Sequence, residues 1–402
     1  MSTSDLILTN GRIITPLHIE DASVVIKDSK IARIIPKGEP LPENIRVVDV
    51  KGSYICPGFV DIHVHGGGGA DVMDCETNAI LKMVESHAKG GTTSIVPTTT
   101  CGSLEDILSV LDCIRSAKRC SVKGAKILGV HLEGPYVSPL EKGALDSRYI
   151  RLPEEEEYLR ILNYSQDILI MTVAPELDGS LELAKELRRR SIIPSIGHTD
   201  ASFDQVVTAV EAGFRHVTHL YSSMPGVRRI KLARVAGVVE AGYLCPELTV
   251  ELIADGKHLP PALLKLAYQI KGPDKIALIT DAMRAAGLPE GKSILGGVKN
   301  GLPVVVEDGV AKLPDKTAFA GSVALTSRLV KNMVELAEVP LREAVRMVTL
   351  TPASIVGFAD QLGMIAVGRE ADLVVLSPDL QVQLTIVSGV TVYQNGLAVN
   401  VE

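Results

Sequence analysis

The chain has 402 residues, of which 46% are hydrophobic and 22% charged, an ordinary composition for a globular protein with a sizeable core. A net charge of -7 without a basic stripe argues against a nucleic-acid partner. There is no apolar run long enough for a membrane span, no evident signal peptide and no Cys-x-x-Cys pair among the six cysteines, so we expect a cytoplasmic protein with reduced thiols and no membrane partner.

The two ends of the chain have the texture of short β-strands. Runs at 6–14 and 22–35 alternate in hydrophobicity and contain the turn dipeptides Asn10-Gly11 and Asp28-Ser29. The corresponding C-terminal runs are 371–376, 382–387 and 390–396. We therefore expect a small antiparallel, composite β-sandwich domain, built from both chain ends. Its predicted parts are 1–56 and 358–402, and the central domain is 57–357.

The middle of the chain repeats strand-like and helix-like segments. The strand-like runs lie near 60–65, 93–100, 126–133, 168–174, 192–198, 216–220, 248–254 and 275–281. Helix-patterned stretches between them are 78–89, 104–118, 180–190 and 203–212. Strands that alternate with helices indicate βαβ units in a parallel sheet, and this number of strands predicts an α/β fold of the (β/α)8 TIM-like barrel type.

Polar residues of metal-binding or acid–base types stand at the downstream ends of five strand-like runs. They are His63, His65, Glu133, His198, His219 and Asp281. In a (β/α)8 barrel the active site lies at the C-terminal strand ends, so these residues would converge there. The alternative fold is an open doubly wound sheet, which places its ligand near one switch point. The spread over strands one, three, five, six and eight favours the barrel.

The two histidines of the first run are candidate metal ligands. His63 and His65 are two apart in a strand, so both point to one face, which in a barrel is the interior. Two imidazoles there can hold a divalent metal, and the glycines at 66–69 leave room for a ligand. The alternative for an isolated pair would be buried, hydrogen-bonded histidines.

Glu133 is a carboxylate among apolar residues at a strand end, a costly position unless the carboxylate is paired or metal-bound. A salt bridge is the alternative, but no lysine or arginine is close in sequence. Together with His198 and His219, Glu133 makes a three-ligand set that leaves a position for water, as in catalytic zinc sites. His131 shares the face of Glu133 and is a candidate to orient Glu133 or the substrate.

Two further residues complete the predicted site. Asp281 can accept a proton from metal-bound water and return it to a leaving group, although an N-cap of the following helix is the alternative. His258 follows strand seven, at the end of a barrel that often binds phosphate. An ordinary surface turn is the alternative for His258.

Short motifs occur in order along almost the whole chain. They are Pro57-Gly-Phe-Val-Asp-Ile-His63, His131-Leu-Glu-Gly-Pro135, Gly197-His198, Thr218-His-Leu-Tyr221, Met224-Pro225, Ala254-Asp-Gly256, Thr280-Asp-Ala282 and Ala320-Gly-Ser322. Their order and spacing resemble those of N-acetylglucosamine-6-phosphate deacetylases, which belong to the amidohydrolase superfamily. The resemblance implies a hydrolase that converts N-acetylglucosamine 6-phosphate to glucosamine 6-phosphate and acetate.

The resemblance also implies a role for each matching residue. Glu133, His198 and His219 would hold the principal metal, and Asp281 would be the acid and base. The histidines of strand one match members that can bind a second metal, whereas other members use one, so one ion or two stay open. Zinc is the preferred ion, with iron, manganese or cobalt as alternatives. A homodimer is implied, with Arg228 or Arg229 reaching the phosphate in the partner. The substrate-binding candidates are His131, Ser222, Ser223, Arg228, Arg229, His258 and Ser322.

Three departures from the family pattern lie in the substrate region. Ser222-Ser223 replaces the usual Asn-Ala, Leu145 stands where many members have a histidine that contacts the acyl group, and Ile230-Lys-Leu-Ala-Arg234 replaces Arg-Glu-Pro-Gly. The sugar epimer and the acyl group are therefore open. The alternatives are a deacetylase of a related substrate such as N-acetylgalactosamine 6-phosphate, a cyclic amidohydrolase of the dihydroorotase or hydantoinase kind, and a non-catalytic barrel.

Overall fold

A computed structural model describes residues 5–120 and 123–397 of the chain. The β-strands are β1 (Leu6–Ile14), β2 (Ile19–Lys27), β3 (Lys30–Pro36), β4 (Arg46–Asp49), β5 (Tyr54–Pro57), β6 (Phe59–Val64), β7 (Gly66–Gly67), β8 (Ala70–Asp71), β9 (Thr92–Thr99), β10 (Lys126–Ile127), β11 (Val130–Glu133), β12 (Ile168–Val173), β13 (Ile193–Ile196), β14 (His216–Val217), β15 (Arg228–Ile230), β16 (Ala233–Val235), β17 (Thr249–Ile253), β18 (Ile276–Ile279), β19 (Gly291–Leu295), β20 (Leu302–Glu307), β21 (Val310–Lys312), β22 (Phe319–Ser322), β23 (Leu373–Leu376), β24 (Val382–Val387) and β25 (Val390–Gln394).

The α-helices lie between and after these strands. They are α1 (Thr77–Ala88), α2 (Leu104–Lys118), α3 (Glu155–Tyr164), α4 (Ser180–Arg189), α5 (Phe203–Ala212), α6 (Val238–Leu244), α7 (Pro261–Lys271), α8 (Thr326–Glu335), α9 (Leu341–Met347) and α10 (Leu350–Ile355). None of the helices in the described residues has the length and apolar character that crossing a membrane requires.

Strands from both chain ends form one sheet, with the order β25-β24-β23-β5-β1-β2-β3 and β4 beside β1. β5 pairs antiparallel with β23, so the two ends of the chain meet inside the sheet. The pairs β1–β4 and β1–β5 are parallel, so the predicted antiparallel sheet is in fact mixed. The reason is that β3 already runs in the direction of β1, and residues 37–45 then take the chain back, so that β4 and β5 also run in the direction of β1.

The alternation of side chains along β23 joins this sheet to the rest of the protein. Leu373 and Val375 lie in the core of the composite sheet, with residues of β1, β2 and β24. Val374 and Leu376 point the other way, into the large core that also contains the barrel helices. Successive residues of a strand face opposite sides, so one short strand contributes to two cores.

The central sheet is a barrel of eight parallel strand positions, as the sequence predicts. β6 pairs with β9, and the order continues through β11, β12, β13, β14 and β17 to β18, with β10 also beside β9. The barrel is nearly closed. A parallel bridge between Val64 and Ala282 joins the end of β6 to the segment after β18, and the amide of Asp281 donates to the carbonyl of His63 at 3.0 Å.

The helices match the predicted stretches because their ends carry the expected signals. Ser103 caps α2, and Asp106 completes the capping box; Ser202 and Gln205 do the same for α5. Gly213 ends α5 in a conformation with φ of 122°, which glycine adopts without the Cβ penalty. Apolar residues at helical spacing bury one face of each of the helices α1 to α9 in the large core around the barrel.

The unpredicted elements include two antiparallel sheets that follow barrel strands. A four-stranded antiparallel sheet, β19–β22, follows β18, and an antiparallel hairpin, β15–β16, follows β14. The last strand of the added sheet returns to the barrel mouth, where the amide of Ser322 donates to the carbonyl of Asp281 at 2.8 Å. The added sheet therefore forms part of the wall above the C-terminal strand ends.

The double role of β23 gives a test of stability. Leu373→Ala removes a fully buried side chain and should lower the free energy of unfolding by about 2–5 kcal/mol, because a cavity remains between the strands. Val367→Ala is the control: this side chain is 63% exposed, so the change should stay within about 0.5 kcal/mol. Denaturant unfolding measures both variants. Equal loss of stability would contradict the packing described for β23.

Candidate active site

The predicted polar residues stand at the C-terminal ends of barrel strands. Glu133 is the last residue of β11, and His65 follows β6 directly. His198, His219 and Asp281 each lie two residues beyond a strand and have positive φ angles of 47°, 31° and 46°. The left-handed region is sterically costly for residues other than glycine, and it persists only where surrounding contacts fix it. The site therefore depends on a backbone that the barrel holds in place.

One oxygen of Glu133 lies among two imidazoles. Oε1 is 3.2 Å from Nε2 of His198 and 2.9 Å from Nε2 of His219. The two Nε2 atoms are 3.2 Å apart. All three side chains are buried, and their ligand atoms lie within 4.8 Å of one another, close enough to share one metal ion. The structure thus brings the predicted three-ligand set together.

The other oxygen of Glu133 faces the histidines of strand one. Oε2 lies 3.3 Å from Nε2 of His65, which is in turn 3.3 Å from Nε2 of His63. Oδ1 of Asp281 is 3.1 Å from Nε2 of His65 and 3.5 Å from Nε2 of His63. Glu133 therefore lies between two pairs of histidines: Oε2 faces His65, whereas Oε1 faces His198 and His219 and also lies 3.5 Å from Nε2 of His63.

The remaining ring nitrogens show that this cluster fits a metal. Nδ1 of His65 lies 3.2 Å from the carbonyl of Thr98, and Nδ1 of His198 lies 2.9 Å from the carbonyl of Glu141. A carbonyl only accepts, so each Nδ1 carries a proton, and each Nε2 faces the carboxylates of the cluster. These carboxylates attract positive charge, and a divalent cation bound here would take the place of the protons on Nε2.

The titration behaviour of the cluster has the same electrostatic cause. Burial opposes a charge on His65, yet hydrogen bonds to Asp281 and Glu133 raise its pKa to about 10. Burial likewise opposes a charge on Glu133, but the charge of His63 and a hydrogen bond from His198 hold the pKa of the carboxyl well below its usual range. The carboxylates therefore stay ionised and attract positive charge to this point.

A cavity of about 310 Å³ opens onto the cluster. Glu133, His198, His219, His65 and Asp281 line it. One side is formed by residues that follow β14 and β17, with one residue of the added sheet. They are Tyr221, Ser222, Ser223, His258 and Phe319. Thr100, Leu145 and Leu295 contribute to the lining elsewhere, and they also line an adjoining cavity of about 620 Å³. The first cavity is large enough for a small ligand beside the cluster.

His258 faces this cavity, and one of its two ring nitrogens is already hydrogen bonded within the protein. Its Nδ1 lies 2.9 Å from Oδ2 of Asp255, and its ring centroid is 4.9 Å from that of Phe319. The amides of Lys257 and His258 both donate to Oδ1 of Asp255, at 2.8 and 2.9 Å. Asp255 thus fixes the ring, so that Nε2 is left to meet a ligand.

Four predicted substrate contacts do not line the cavity. Nε2 of His131 lies 2.7 Å from the hydroxyl of Thr172, inside the barrel, so this placement does not support a contact with substrate. Ser322 is buried, and its hydroxyl accepts from the amide of Ala324. Arg228 pairs with Asp200 at 2.5 Å, and Arg229 donates to the carbonyl of Lys231 on the exposed β15–β16 hairpin.

Glu251 on β17 is the main residue that the sequence analysis missed. It is fully buried and lies 2.9 Å from Nδ1 of His63. Nε2 of His216 lies 3.2 Å from the other Glu251 oxygen. The sequence does contain a pattern that could have identified Glu251, because it is a carboxylate in an apolar strand, as Glu133 is.

Comparison with known proteins identifies close relatives. A model of the amidohydrolase family matches residues 54–392. The N-acetylglucosamine-6-phosphate deacetylase of Bacillus subtilis (strain 168) is 36% identical over 375 residues, covering 92% of each chain. The N-acetylgalactosamine-6-phosphate deacetylase of Escherichia coli O157:H7 is 35% identical over 374 residues, covering 92% of this chain and 94% of that one. The solved N-acetylglucosamine-6-phosphate deacetylase of Thermotoga maritima superposes with a TM-score of 0.85 and 34% identity, covering 97% of this chain and all of the other.

The cluster predicts that metal binding stabilises the protein. Zinc added to chelator-treated protein should raise the melting temperature, because an ion at a hundred times its dissociation constant contributes about 2.7 kcal/mol. In Glu133→Gln the rise should be largely lost, since Glu133 contacts both pairs of histidines. The exposed Glu247→Gln is the control and should behave as wild type. An unchanged zinc effect in Glu133→Gln would contradict the assignment of this site.

Proposed function

The chain belongs to the amidohydrolase family, and we propose that it removes the acetyl group from N-acetylglucosamine 6-phosphate to give glucosamine 6-phosphate and acetate. It is an enzyme that acts on a linear amide. The observation that carries the proposal is the convergence of four imidazole Nε2 atoms on Glu133 beside the cavity. Apolar packing alone gives no reason for such a cluster.

We propose that Glu133, His198 and His219 hold the principal metal ion, and that His63 and His65 hold a second ion with Glu133. Imidazole and carboxylate donors suit zinc, which is our first choice; iron, manganese and cobalt are the alternatives. A bound divalent ion would acidify water and polarise the amide carbonyl. The buried histidines supply the dry, fixed surroundings in which that chemistry is effective.

Asp281 is the proposed acid and base. It lines the cavity, and its Oδ1 contacts the imidazole of His65. Burial opposes ionisation, yet the hydrogen bond from His65 and the charge of His63 lower the pKa of Asp281. An ionised Asp281 can accept a proton from the attacking water and then donate it to the nitrogen of the departing amine.

The side of the cavity formed by His258, Ser222 and Ser223 is the proposed place of the sugar phosphate. Hydroxyls and an imidazole Nε2 donate hydrogen bonds that suit sugar and phosphate oxygens. We also propose a homodimer in which Arg229, or Arg228 released from Asp200, reaches a partner's phosphate. Exposed apolar side chains on the same hairpin, Ile230 at 47% and Leu232 at 89%, support its burial against a second copy.

A second candidate is the same reaction on N-acetylgalactosamine 6-phosphate. It is favoured because a relative with that name is nearly as similar, and because Leu145, Ser222 and Ser223, which depart from the usual pattern, line the cavity. A cyclic amide substrate and a non-catalytic barrel are not proposed, since the relatives are deacetylases and the predicted ligands converge. We propose a cytoplasmic location because the six cysteines are free thiols.

The proposal is tested by amine release from N-acetylglucosamine 6-phosphate, with the galactosamine epimer in parallel. Zinc-loaded enzyme should release glucosamine 6-phosphate quickly, and a chelator should abolish the release. A preference for the epimer would favour the second candidate. No release from either compound by protein with bound zinc would refute both.

Replacement of the proposed acid and base should separate chemistry from metal binding. Asp281→Asn should keep its bound metal and lose turnover by about 10²–10⁴-fold, because the amide cannot accept and return the proton. Metal analysis and steady-state kinetics measure the two properties. The exposed Asp178→Asn is the control and should retain both. Turnover close to wild type in Asp281→Asn would remove this residue from the mechanism.

The role of His258 can be read from substrates with and without the phosphate. His258→Ala removes the ring nitrogen that faces the cavity and should raise KM for the phosphorylated sugar about tenfold to hundredfold, the loss of one charge-assisted hydrogen bond. The slow reaction of unphosphorylated N-acetylglucosamine should be nearly unchanged. If both substrates lose equally, His258 does not recognise the phosphate.

A further inference from the structure

Glu251 is a carboxylic acid in the interior of the barrel, where the loss of hydration makes a charge energetically unfavourable. Its side chain is fully buried in β17, and it does not line the cavity. Its two oxygens contact buried histidines, Oε2 the ring of His63 and Oε1 the ring of His216. A buried carboxylate is tolerated only with such partners. Its partners therefore indicate what it does.

Two of these partners belong to the proposed metal ligands. Oε2 of Glu251 lies 2.9 Å from Nδ1 of His63 and accepts from the backbone amide of His219 at 3.0 Å. The first contact places the ring proton of His63 on Nδ1, so that Nε2 is free to bind an ion. The second holds the backbone of His219, whose φ of 31° is unfavourable without such support.

The third partner keeps Glu251 from rotating. Oε1 is 3.2 Å from Nε2 of His216, and Nδ1 of His216 lies 2.6 Å from the hydroxyl of Thr249. Thr249 in turn donates to the carbonyl of Arg215 at 3.2 Å. Both oxygens of Glu251 are thus occupied, and the carboxylate is tied to two neighbouring strands, β14 and β17.

Glu251 differs from the groups that orient the other histidines. His65 and His198 use neutral backbone carbonyls, whereas the Nδ1 of His63 meets a full negative charge. A carboxylate behind a ligand histidine makes the ring more basic and a stronger ligand. The charge is also placed on the side of the cluster that would hold the second ion.

We infer that Glu251 is a positioning residue that fixes His63 and the backbone of His219 and so sets the affinity of the ion held by His63 and His65. This inference rests on the proposed metal-dependent function. In this role Glu251 would act through His63 and His219 and would itself bind neither the ion nor the substrate. Its Oε2 contacts both the ring of His63 on β6 and the backbone amide of His219 after β14, and so connects the two halves of the cluster.

The test compares Glu251→Gln with Ser195→Ala. Glu251→Gln removes the charge at nearly constant volume. Ser195 is also buried in the barrel, but its hydroxyl bonds to Thr218 and to none of the proposed ligands. Chelator-stripped proteins are titrated with Co²⁺, followed by calorimetry and by the visible absorption of the bound ion. Glu251→Gln should weaken Co²⁺ binding about 10–100-fold and alter the spectrum of the bound ion, and Ser195→Ala should do neither.

A double-mutant cycle assigns the effect to His63. In a His63→Ala background, Glu251→Gln should change the Co²⁺ affinity much less than in wild type, because the main contact is already lost. Circular dichroism checks the fold. If Glu251→Gln does not fold, Glu251→Asp, which retains the charge on a shorter arm, is titrated instead and should also bind Co²⁺ more weakly.

The outcomes separate this inference from the proposed function. Co²⁺ affinity and spectrum equal to wild type in the Glu251 variant would overturn the positioning role and leave the deacetylase proposal standing. An equal penalty with and without His63 would also overturn it. Wild-type protein that binds no Co²⁺ would remove the metal centre, and with it both proposals.

Discussion

The buried carboxylate of Glu133 is the constraint on which the site depends. It is 2% exposed, and its two oxygens contact imidazoles that lie on or just after the barrel strands β6, β13 and β14. The imidazoles of His63, His65 and His198 are each held in turn by an acceptor from another part of the chain. Charges buried in this way are tolerated only when every partner is in place. The cluster therefore keeps its geometry only while the barrel strands that carry these residues stay in place.

The elements added to the barrel determine what can reach the cluster. β22 returns from the added sheet to the backbone of Asp281, and it places Phe319 beside His258. Leu145 and Leu295 lie between the cavity at the cluster and the larger adjoining cavity, since both cavities share them. Under the proposed function the chemistry would belong to the strand ends, and substrate choice would belong to loops and to an inserted sheet, as is usual for barrels.

The sequence predicted the strand positions and the convergence of their ends, because both follow from local pattern. Apolar runs that end in His or Glu specify strands, and parallel strands bring their ends to one face. Depth was not predictable in this way. His131 and Glu133 share a face of one strand, yet His131 lies deeper, bonded to Thr172. The alternation of side chains along a strand shows which residues face the barrel interior, but it does not show how far each lies from the mouth of the barrel.

Other features depended on contacts between distant residues. Glu251 carried the same signal as Glu133, but its meaning comes from His63, 188 positions away. The strands β19–β22 are short and lie after the last barrel strand, where the repeating strand–helix pattern no longer indicates a position. The mixed pairing of β1 with β4 and β5 likewise depends on how the chain returns after a hairpin. Tertiary contacts decided each of these points, and local pattern could not.

The most direct test of the central claim is anomalous X-ray diffraction from crystals of the zinc-loaded protein, measured on both sides of the zinc absorption edge. The account predicts a zinc peak about 2.0–2.2 Å from a carboxylate oxygen of Glu133 and from Nε2 of His198 and His219. Zinc bound only elsewhere, with this cluster unchanged and without a peak, would contradict it.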